Sequence, residues 1–562
     1  MTTRMTGAEF LADTLQGYGV SHVFLVPAVL SRTLYEMEAR TSIGRIVAHG
    51  EKAAAYMADG YARASGKPGI CMAQSVGAAN LAAGLRDAYM ACSPVIAITG
   101  GPYLHSRHKN QYQQIDDFPI FEPLTKYNAR VDLPERIPEM IRQAFRVATT
   151  GRPGPVHLEF AGHAAEIEAT ECVFEVVVEE RFSHVPAFRV HPEPAAVHAA
   201  AEVLANAERP IIVAGGGVRQ SDAAAELVAL AEKMGIPVAT SMNAKDVIDG
   251  LHPLSVGVPG LYGRKSANLA VMEADVVFFV GSKTGSQLTS DWRVPAPGAR
   301  VIHLDIDPEE LGRHYSGALC LLGDAKVALG ALMEVTDATA ERRRSWVERV
   351  QRFVADWREG YAAALGSDAV PIRPERLCSE LSQHLPSDAI VVSDTGHSGM
   401  WTGIYLDLKR GQSFVRCAGS LGWGLPAALG AQLAVPDRPV VMFSGDGGFY
   451  YHLAELETAA RWGIGATLIV NNNRSLNQER YIFAPAYGGT LHGRHTELWH
   501  HRDIDFVAVA ESLGATGIRV KKPGDFAAAV EQGIATPGPT VIDVVSDIDA
   551  MAPFSEGLTT AS

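Results

Sequence analysis

No run in this 562-residue chain approaches the ~18 uninterrupted apolar residues that a membrane-spanning helix needs. The amino terminus, Met1-Thr2-Thr3-Arg4-Met5-Thr6-Gly7, passes straight into an amphipathic pattern (Phe10, Leu11, Leu15), so no signal peptide is expected. Cysteine is sparse: six residues, Cys71, Cys92, Cys172, Cys320, Cys378 and Cys417, with no CxxC pair. That excludes a disulfide framework or a zinc site of ordinary spacing and predicts a reducing, cytoplasmic setting. Positive charge is in deficit, with 49 Lys+Arg against 63 Asp+Glu and a net charge of −14. A general nucleic-acid binder would carry the opposite balance. Short-period repeats and low-complexity tracts are also missing.

What is present is an ordinary globular composition, 47% hydrophobic and 20% charged. At ~100–200 residues per domain, the length predicts three domains. Three segments each alternate short apolar runs with helical stretches, the pattern of parallel α/β layers. The first carries strand signals at 21–26, 69–73, 94–99 and 155–159, with a helix over Glu51–Ala64. The second carries them at 209–214, 274–280 and 300–307, and the third at 389–393, 439–443, 466–470 and 539–545. Proline-bearing stretches near His191–Pro194 and Gly366–Pro374 separate them. The expected organisation is three doubly wound parallel-sheet domains over 1–185, 186–350 and 366–550. Residues 557–562 read as a loose tail.

The third segment holds the strongest chemical signal. The strand ending at Phe443 runs into Ser444-Gly445-Asp446-Gly447-Gly448, and the next strand ends in Asn471-Asn472-Asn473. A carboxylate and an amide oxygen at adjacent strand ends can share one hard cation, and oxygen ligands beside a phosphate suit Mg²⁺. Gly447 and Gly448 let backbone approach an anion. Gly-Asp-Gly alone would be an ordinary turn, but Asn473 follows Asp446 by 27 residues, about one helix and one strand.

This pairing resembles the binding motif of the thiamine-diphosphate-dependent enzymes. The resemblance implies that Asp446, the Asn473 side chain and the Ser475 carbonyl hold Mg²⁺ against the cofactor diphosphate. Asn472 is the alternative one residue out of register. Ser393-Asp394-Thr395-Gly396-His397-Ser398-Gly399-Met400-Trp401 resembles the acetolactate synthase stretch at the other diphosphate contacts, implicating Gly396, His397 and Ser398. His397 alone would be a loop residue. Gly419-Ser420-Leu421-Gly422-Trp423-Gly424 resembles the stretch that supports the aminopyrimidine. There the Gly419 carbonyl would accept from the 4′-amino group, and Leu421 would be the apolar wedge that bends the cofactor. Taken alone, Leu421 is a core leucine.

The first segment resembles the same family around its activating glutamate, at Ala48-His49-Gly50-Glu51-Lys52-Ala53 and again at Gly77-Ala78-Ala79-Asn80-Leu81. Glu51 is then the acid bonded to N1′ of the aminopyrimidine. On its own it reads as an acid favoured by a helix N-terminus. Acetolactate synthases have His directly before that glutamate, whereas here Gly50 precedes it and His49 lies two back. Gln113, within Gln111-Tyr112-Gln113-Gln114, fits the register of a glutamine near the reacting carbon, where an amide could bond a developing alkoxide. A solvated polar loop is the competing reading. The adjacent His-His pair of pyruvate decarboxylases is absent.

The middle segment, with Ala214-Gly215-Gly216-Gly217, Val258-Pro259-Gly260-Leu261-Tyr262-Gly263 and Asn268, resembles the middle domain of the flavin-containing synthases. Gly281-Ser282-Lys283-Thr284-Gly285 departs from their Arg/Asp-rich pattern. FAD is one occupant the resemblance allows, and a CoA-type nucleotide is another. The implied function is a thiamine-diphosphate-dependent C–C lyase or carboligase, acetolactate synthase-like, acting on a 2-oxo acid or related ketone through a carbanion-enamine, with ketone or aldehyde partners. A benzoylformate-type decarboxylase, a flavin-dependent oxidase and a non-catalytic paralogue are the alternatives. The family places its cofactor between two subunits, so a homodimer or homotetramer is expected. The stretch His492–His501 departs from the synthase pattern and has no assigned role.

Overall fold

In a computed structural model that describes residues 2–558, each α/β segment forms its own six-stranded, fully parallel sheet. The first sheet has the spatial order Gly44–Val47, His22–Leu25, Gly69–Ala73, Val95–Gly101, Val156–Ala161, Tyr127–Val131. The third runs Ser413–Arg416, Ile390–Ser393, Val440–Gly445, Thr467–Asn472, Thr540–Val545, Thr516–Val520. Counted by appearance within each domain, both orders are 2-1-3-4-6-5. The middle sheet runs Ser255–Gly257, Val238–Thr240, Pro210–Ala214, Val276–Val280, Arg300–Asp305, Leu319–Leu322, the order 3-2-1-4-5-6. Helices cover both faces, so the inner strands are buried along their length and read as continuous apolar runs.

Local chemistry explains the first helices. Thr6 and Glu9 form a reciprocal capping box at the start of helix Gly7–Gly17. Thr3–Thr6, just before it, pairs antiparallel with Glu171–Phe174 and ties the chain's start to the end of the first domain. Helix Glu51–Ser65 starts at Gly50 and stops at Gly66, whose φ of +71° ends the helix in the left-handed region. Its run of small residues (Ala53, Ala54, Ala55, Ala58) is fully buried.

That small face lets helix Glu51–Ser65 lie directly on helix Gly424–Ala434 of the third domain. A Cβ on Gly60 would collide with the Ala427 carbonyl, and one on Gly430 with the Met57 carbonyl. One continuous apolar core therefore spans the first and third domains. Helix Arg344–Leu365 leads from the middle sheet towards helix Pro374–His384, which opens the third domain, and buries Trp346, Val350 and Trp357.

Each strand anticipated from apolar runs is present, shifted by one or two residues at its ends. The six outermost strands of the three sheets were not anticipated, nor was the three-residue Val238–Thr240. The expected tail is in place up to Leu558: the Asn268 amide donates to the Glu556 carbonyl at 2.8 Å, and Leu558 packs on the middle-domain core. Residues 559–562 lie outside the described residues.

Candidate active site

Strands Ile390–Ser393 and Val440–Gly445 are neighbours at the point where the third sheet's strand order reverses. The loops leaving their carboxyl ends diverge there and open a crevice, as parallel sheets do at their ligand sites. Gly396 follows the first strand with φ +68° and ψ −145°, a conformation only glycine adopts without strain. It turns the chain into helix His397–Tyr405. Asp446 follows the second strand and opens the short helix Asp446–Phe449.

A cavity of about 400 Å³ fills the crevice. Of the residues singled out in the sequence, Gly396, His397, Ser398, Gly419, Leu421, Gly445, Gly447, Gly448, Asn473 and Ser475 line it. Asp446, 1% exposed, lies beneath; its Oδ2 is 3.3 Å from Nδ1 of His501. Burial pushes the Asp446 carboxyl up, opposed by His501 and the Asn473 backbone N–H. Arg474 takes φ +60° between Asn473 and Ser475, and the Ser475 hydroxyl donates to Asn473 Oδ1 at 2.9 Å. Asn472 has its amide committed elsewhere, donating to Asp543 Oδ1 at 2.9 Å.

The crevice holds buried polar atoms without partners: Asp446 Oδ1, Asn471 Oδ1, both ring nitrogens of His397 and Gln478 Oε1. Folded proteins rarely leave such groups unsatisfied, and a cluster of them marks where a ligand completes the structure. Burial, with Arg480 nearby, pulls His397 down to about 4, so its imidazole is neutral at pH 7. Carboxylate and amide oxygens suit a hard cation, and neutral donors beside glycine backbone suit an anion held by it. The residues present fit a Mg²⁺–diphosphate pair.

The loop carrying Gly419 and Leu421 is held from the first domain. Asp87, buried on helix Ala78–Ala91, accepts the backbone N–H groups of Ala418, Gly419 and Ser420 at 2.9, 3.1 and 3.0 Å. Arg63 bridges Asp87 (2.9 Å) and Asp59 (2.6 Å), and the Trp423 indole donates to Asp59 at 2.9 Å. Burial alone would raise the Asp87 carboxyl, but the Arg63 charge and the loop N–H groups hold it below the usual carboxylate value. Asp87 and His501 carry no local motif: the loop N–H groups that Asp87 holds lie 331 to 333 residues away, and His501 lies 55 residues from Asp446.

Glu51, at a helix start, and Gln113, on a loop, lie at the carboxyl edge of the first sheet and do not line this cavity. Glu51 is the first residue of its helix. Its Oε2 accepts from the Asn80 amide at 3.2 Å, and a Cβ on Gly77 would collide with its Oε1. Gln113 adopts φ +61°, and its amide oxygen is buried without a partner. The third domain braces this edge: Glu455 accepts the His49 backbone N–H at 3.0 Å. A second cavity, of about 340 Å³, opens at the carboxyl ends of the middle strands between Gly215–Gly217 and Gly281–Gly285. Asn268 does not reach it as a free donor; its side-chain oxygen accepts the Gly260 N–H at 2.7 Å and fixes that turn.

The chain matches three family models: the N-terminal TPP binding domain of thiamine pyrophosphate enzymes over residues 5–120, the central domain over 197–332, and the C-terminal TPP binding domain over 394–544. It is similar along nearly its whole length to curated proteins. A probable acetolactate synthase large subunit of Methanocaldococcus jannaschii is 34% identical, covering 97% of this chain and 92% of that protein. An acetolactate synthase large subunit of Corynebacterium glutamicum is 32% identical over 97% of this chain and 88% of its own. The large subunit of acetolactate synthase isozyme 1 of Escherichia coli is 31% identical over 97% and 95%.

Proposed function

This chain belongs to the thiamine pyrophosphate enzyme family, and from that premise we propose a thiamine-diphosphate-dependent carboligase, acetolactate synthase-like, that takes a 2-oxo acid as donor and a 2-oxo acid, ketone or aldehyde as acceptor. The observation that carries it is the set of orphaned buried atoms (Asp446 Oδ1, Asn471 Oδ1 and the His397 ring) around the Gly445–Gly448 turn at the reversal point of the third sheet. Bound thiamine diphosphate supplies an electron-sink carbon, which lets a C–C bond beside a carbonyl break and form.

The chain's own residues position and protonate. Asp446, Asn473 Oδ1 and the Ser475 carbonyl would hold Mg²⁺. Gly447, Gly448, His397 and Ser398 would face the diphosphate, with His397 donating as a neutral imidazole. Leu421 and the Gly419 carbonyl would support the aminopyrimidine, on a loop that Asp87 fixes. Glu51 would share a proton with the pyrimidine ring nitrogen, and Gln113 would bond an oxygen of the substrate.

Since Glu51 and Gln113 do not line the Asp446 cavity of their own chain, the site is complete only when two copies face each other, in a homodimer or homotetramer. The middle-domain cavity suits a nucleotide, with FAD as the first occupant to test by a visible spectrum of the purified protein. A cytoplasmic setting is part of the same proposal; no helix among the described residues is long and apolar enough to cross a membrane.

Incubation with pyruvate, thiamine diphosphate and Mg²⁺, with and without a second carbonyl compound, is the direct test. NMR of the products should show a 2-hydroxy ketone. Acetaldehyde and CO₂ alone would instead establish a simple decarboxylase.

A further inference from the structure

Arg416 ends the edge strand of the third sheet and is 8% exposed. It stands at the seam of two cavities, lining both the Asp446 crevice and the middle-domain pocket. Tyr262 and Gln287 are the other two residues common to both. Nε of Arg416 donates to the Cys417 carbonyl at 2.5 Å. Nη1 donates to Gln287 Oε1 at 2.7 Å and lies 3.3 Å from the Met242 sulfur. These acceptors are all neutral.

The chain's other buried arginines are treated differently. Arg63 lies between the carboxylates of Asp59 and Asp87, and Arg264 pairs with Asp407 at 2.7 Å. Arg343 spends its donors on the backbone carbonyls of Leu204, Ala207 and Met234 and the hydroxyl of Thr339. Among these four, Arg416 alone opens on the crevice; like Arg343 it has no carboxylate within ion-pair distance among the described residues, and unlike Arg343 it keeps Nη2 free of hydrogen bonds. A buried cation without a counter-charge is costly, and an anionic ligand removes that cost. Beside it, the Tyr262 hydroxyl already accepts from the Gln478 amide at 3.0 Å, which leaves its own proton to donate into the same space.

We propose that Arg416, with Tyr262, receives the carboxylate of the 2-oxo acid substrate at this seam, and so selects acids over neutral carbonyl compounds. The proposal rests on the thiamine-dependent function above. The diphosphate has its own cradle at Gly445–Gly448, so the anion on Arg416 is a second one. The free Nη2 of Arg416 and the Tyr262 hydroxyl together offer a charged and a neutral donor for the two oxygens of a carboxylate.

The test uses the full-length protein with thiamine diphosphate and Mg²⁺, comparing wild type with Arg416→Gln and Arg416→Lys. Oxamate, an unreactive analogue of pyruvate, is titrated against tryptophan fluorescence, and KM is measured for pyruvate and for the neutral butane-2,3-dione. Arg416→Gln should weaken oxamate binding and raise the pyruvate KM about 10- to 100-fold, as loss of a charged hydrogen bond predicts. Arg416→Lys should fall between the two. The diketone KM and the thiamine diphosphate affinity should stay within about twofold of wild type. Equal oxamate binding with and without Arg416, or an equal loss for acid and diketone, overturns the assignment. So does a loss of ADP binding with oxamate binding intact, which would place a nucleotide phosphate on Arg416. Failure of the wild type to bind thiamine diphosphate would instead overturn the functional reading itself.

Discussion

The first and third domains are built on one plan and put to different uses. Both sheets have the order 2-1-3-4-6-5, and in both the helix after the second strand packs against its counterpart in the other domain, Glu51–Ser65 on Gly424–Ala434. Equivalent loops therefore lie at equivalent places. After the second strand, the first domain offers Glu51 and the third offers Gly419 and Leu421. After the fourth, they offer the Gln113 loop and Asn473.

The buried histidines show what separates the two plans. His157, in the first sheet, has Thr99 Oγ1 at 2.8 Å and Asn128 Oδ1 at 2.7 Å on its two nitrogens and stacks on Phe121. His397, in the third domain, has neither nitrogen paired and faces the crevice. A buried imidazole with both nitrogens paired is structure; one with neither paired and facing a crevice is a candidate ligand contact. Shared topology fixes where loops emerge, and the balance of partnered and unpartnered polar atoms shows which loops bind.

The sharpest way to break this division is to remove its two acids. Glu51→Gln should slow turnover and exchange of the cofactor C2 proton by about 10²–10⁴-fold while leaving thiamine diphosphate binding nearly intact, as equilibrium dialysis and NMR exchange would show. Asp446→Ala should do the reverse, abolishing Mg²⁺-dependent cofactor binding, and EDTA should mimic it in the wild type. If both variants lose binding equally, the domains do not divide the work in this way.

Asp87 couples the two plans, since a first-domain carboxylate fixes the third-domain loop. Asp87→Ala leaves Arg63 with Asp59 as its one remaining carboxylate and strands three backbone N–H groups, so chemical denaturation should show a loss of about 3–5 kcal/mol. Residual folded protein should bind thiamine diphosphate more weakly, because Leu421 is no longer held.

The smallest effect concerns acid stability without cofactor. Burial lowers His157 to about 3 and His397 to about 4, whereas an unfolded histidine titrates near 6.5. Between those values the unfolded chain binds the extra proton, so stability falls as pH drops from about 6.5 towards 4, by at most roughly 1.4 kcal/mol per pH unit and group. His397→Gln should flatten that slope in a pH series of thermal melts. Thiamine diphosphate should shift the His397 ring resonances and leave those of His157 unmoved.

How much of this was legible in the sequence follows from burial. Inner strands such as Val276–Val280 and Ile390–Ser393 are covered on both faces, so they are unbroken apolar runs. Edge strands such as Tyr127–Val131 and Ser413–Arg416 meet other surfaces on one side, carry Asn128, Arg130, Ser413 and Arg416, and so lack that signal. The site divides in the same way. Asp446, Asn473, Gly396 and Glu51 stand at strand-to-helix turns whose local spacing has a chemical reason. Asp87, His501, Tyr262 and Arg416 act through contacts with distant parts of the chain that no local pattern encodes.

By itself, then, the sequence determined three parallel α/β domains, a Gly-Asp-Gly turn with its asparagine, and a glutamate at a helix start. These depend on neighbours within a few residues or on one strand–helix repeat. Only the tertiary structure separated Asn473, which lines the crevice, from Asn472, which is committed to Asp543. It also decided that the first-domain acid does not line the third-domain cavity of its own chain, and that a buried arginine stands uncompensated between two cavities. Those outcomes depend on which polar groups find partners once distant segments pack together.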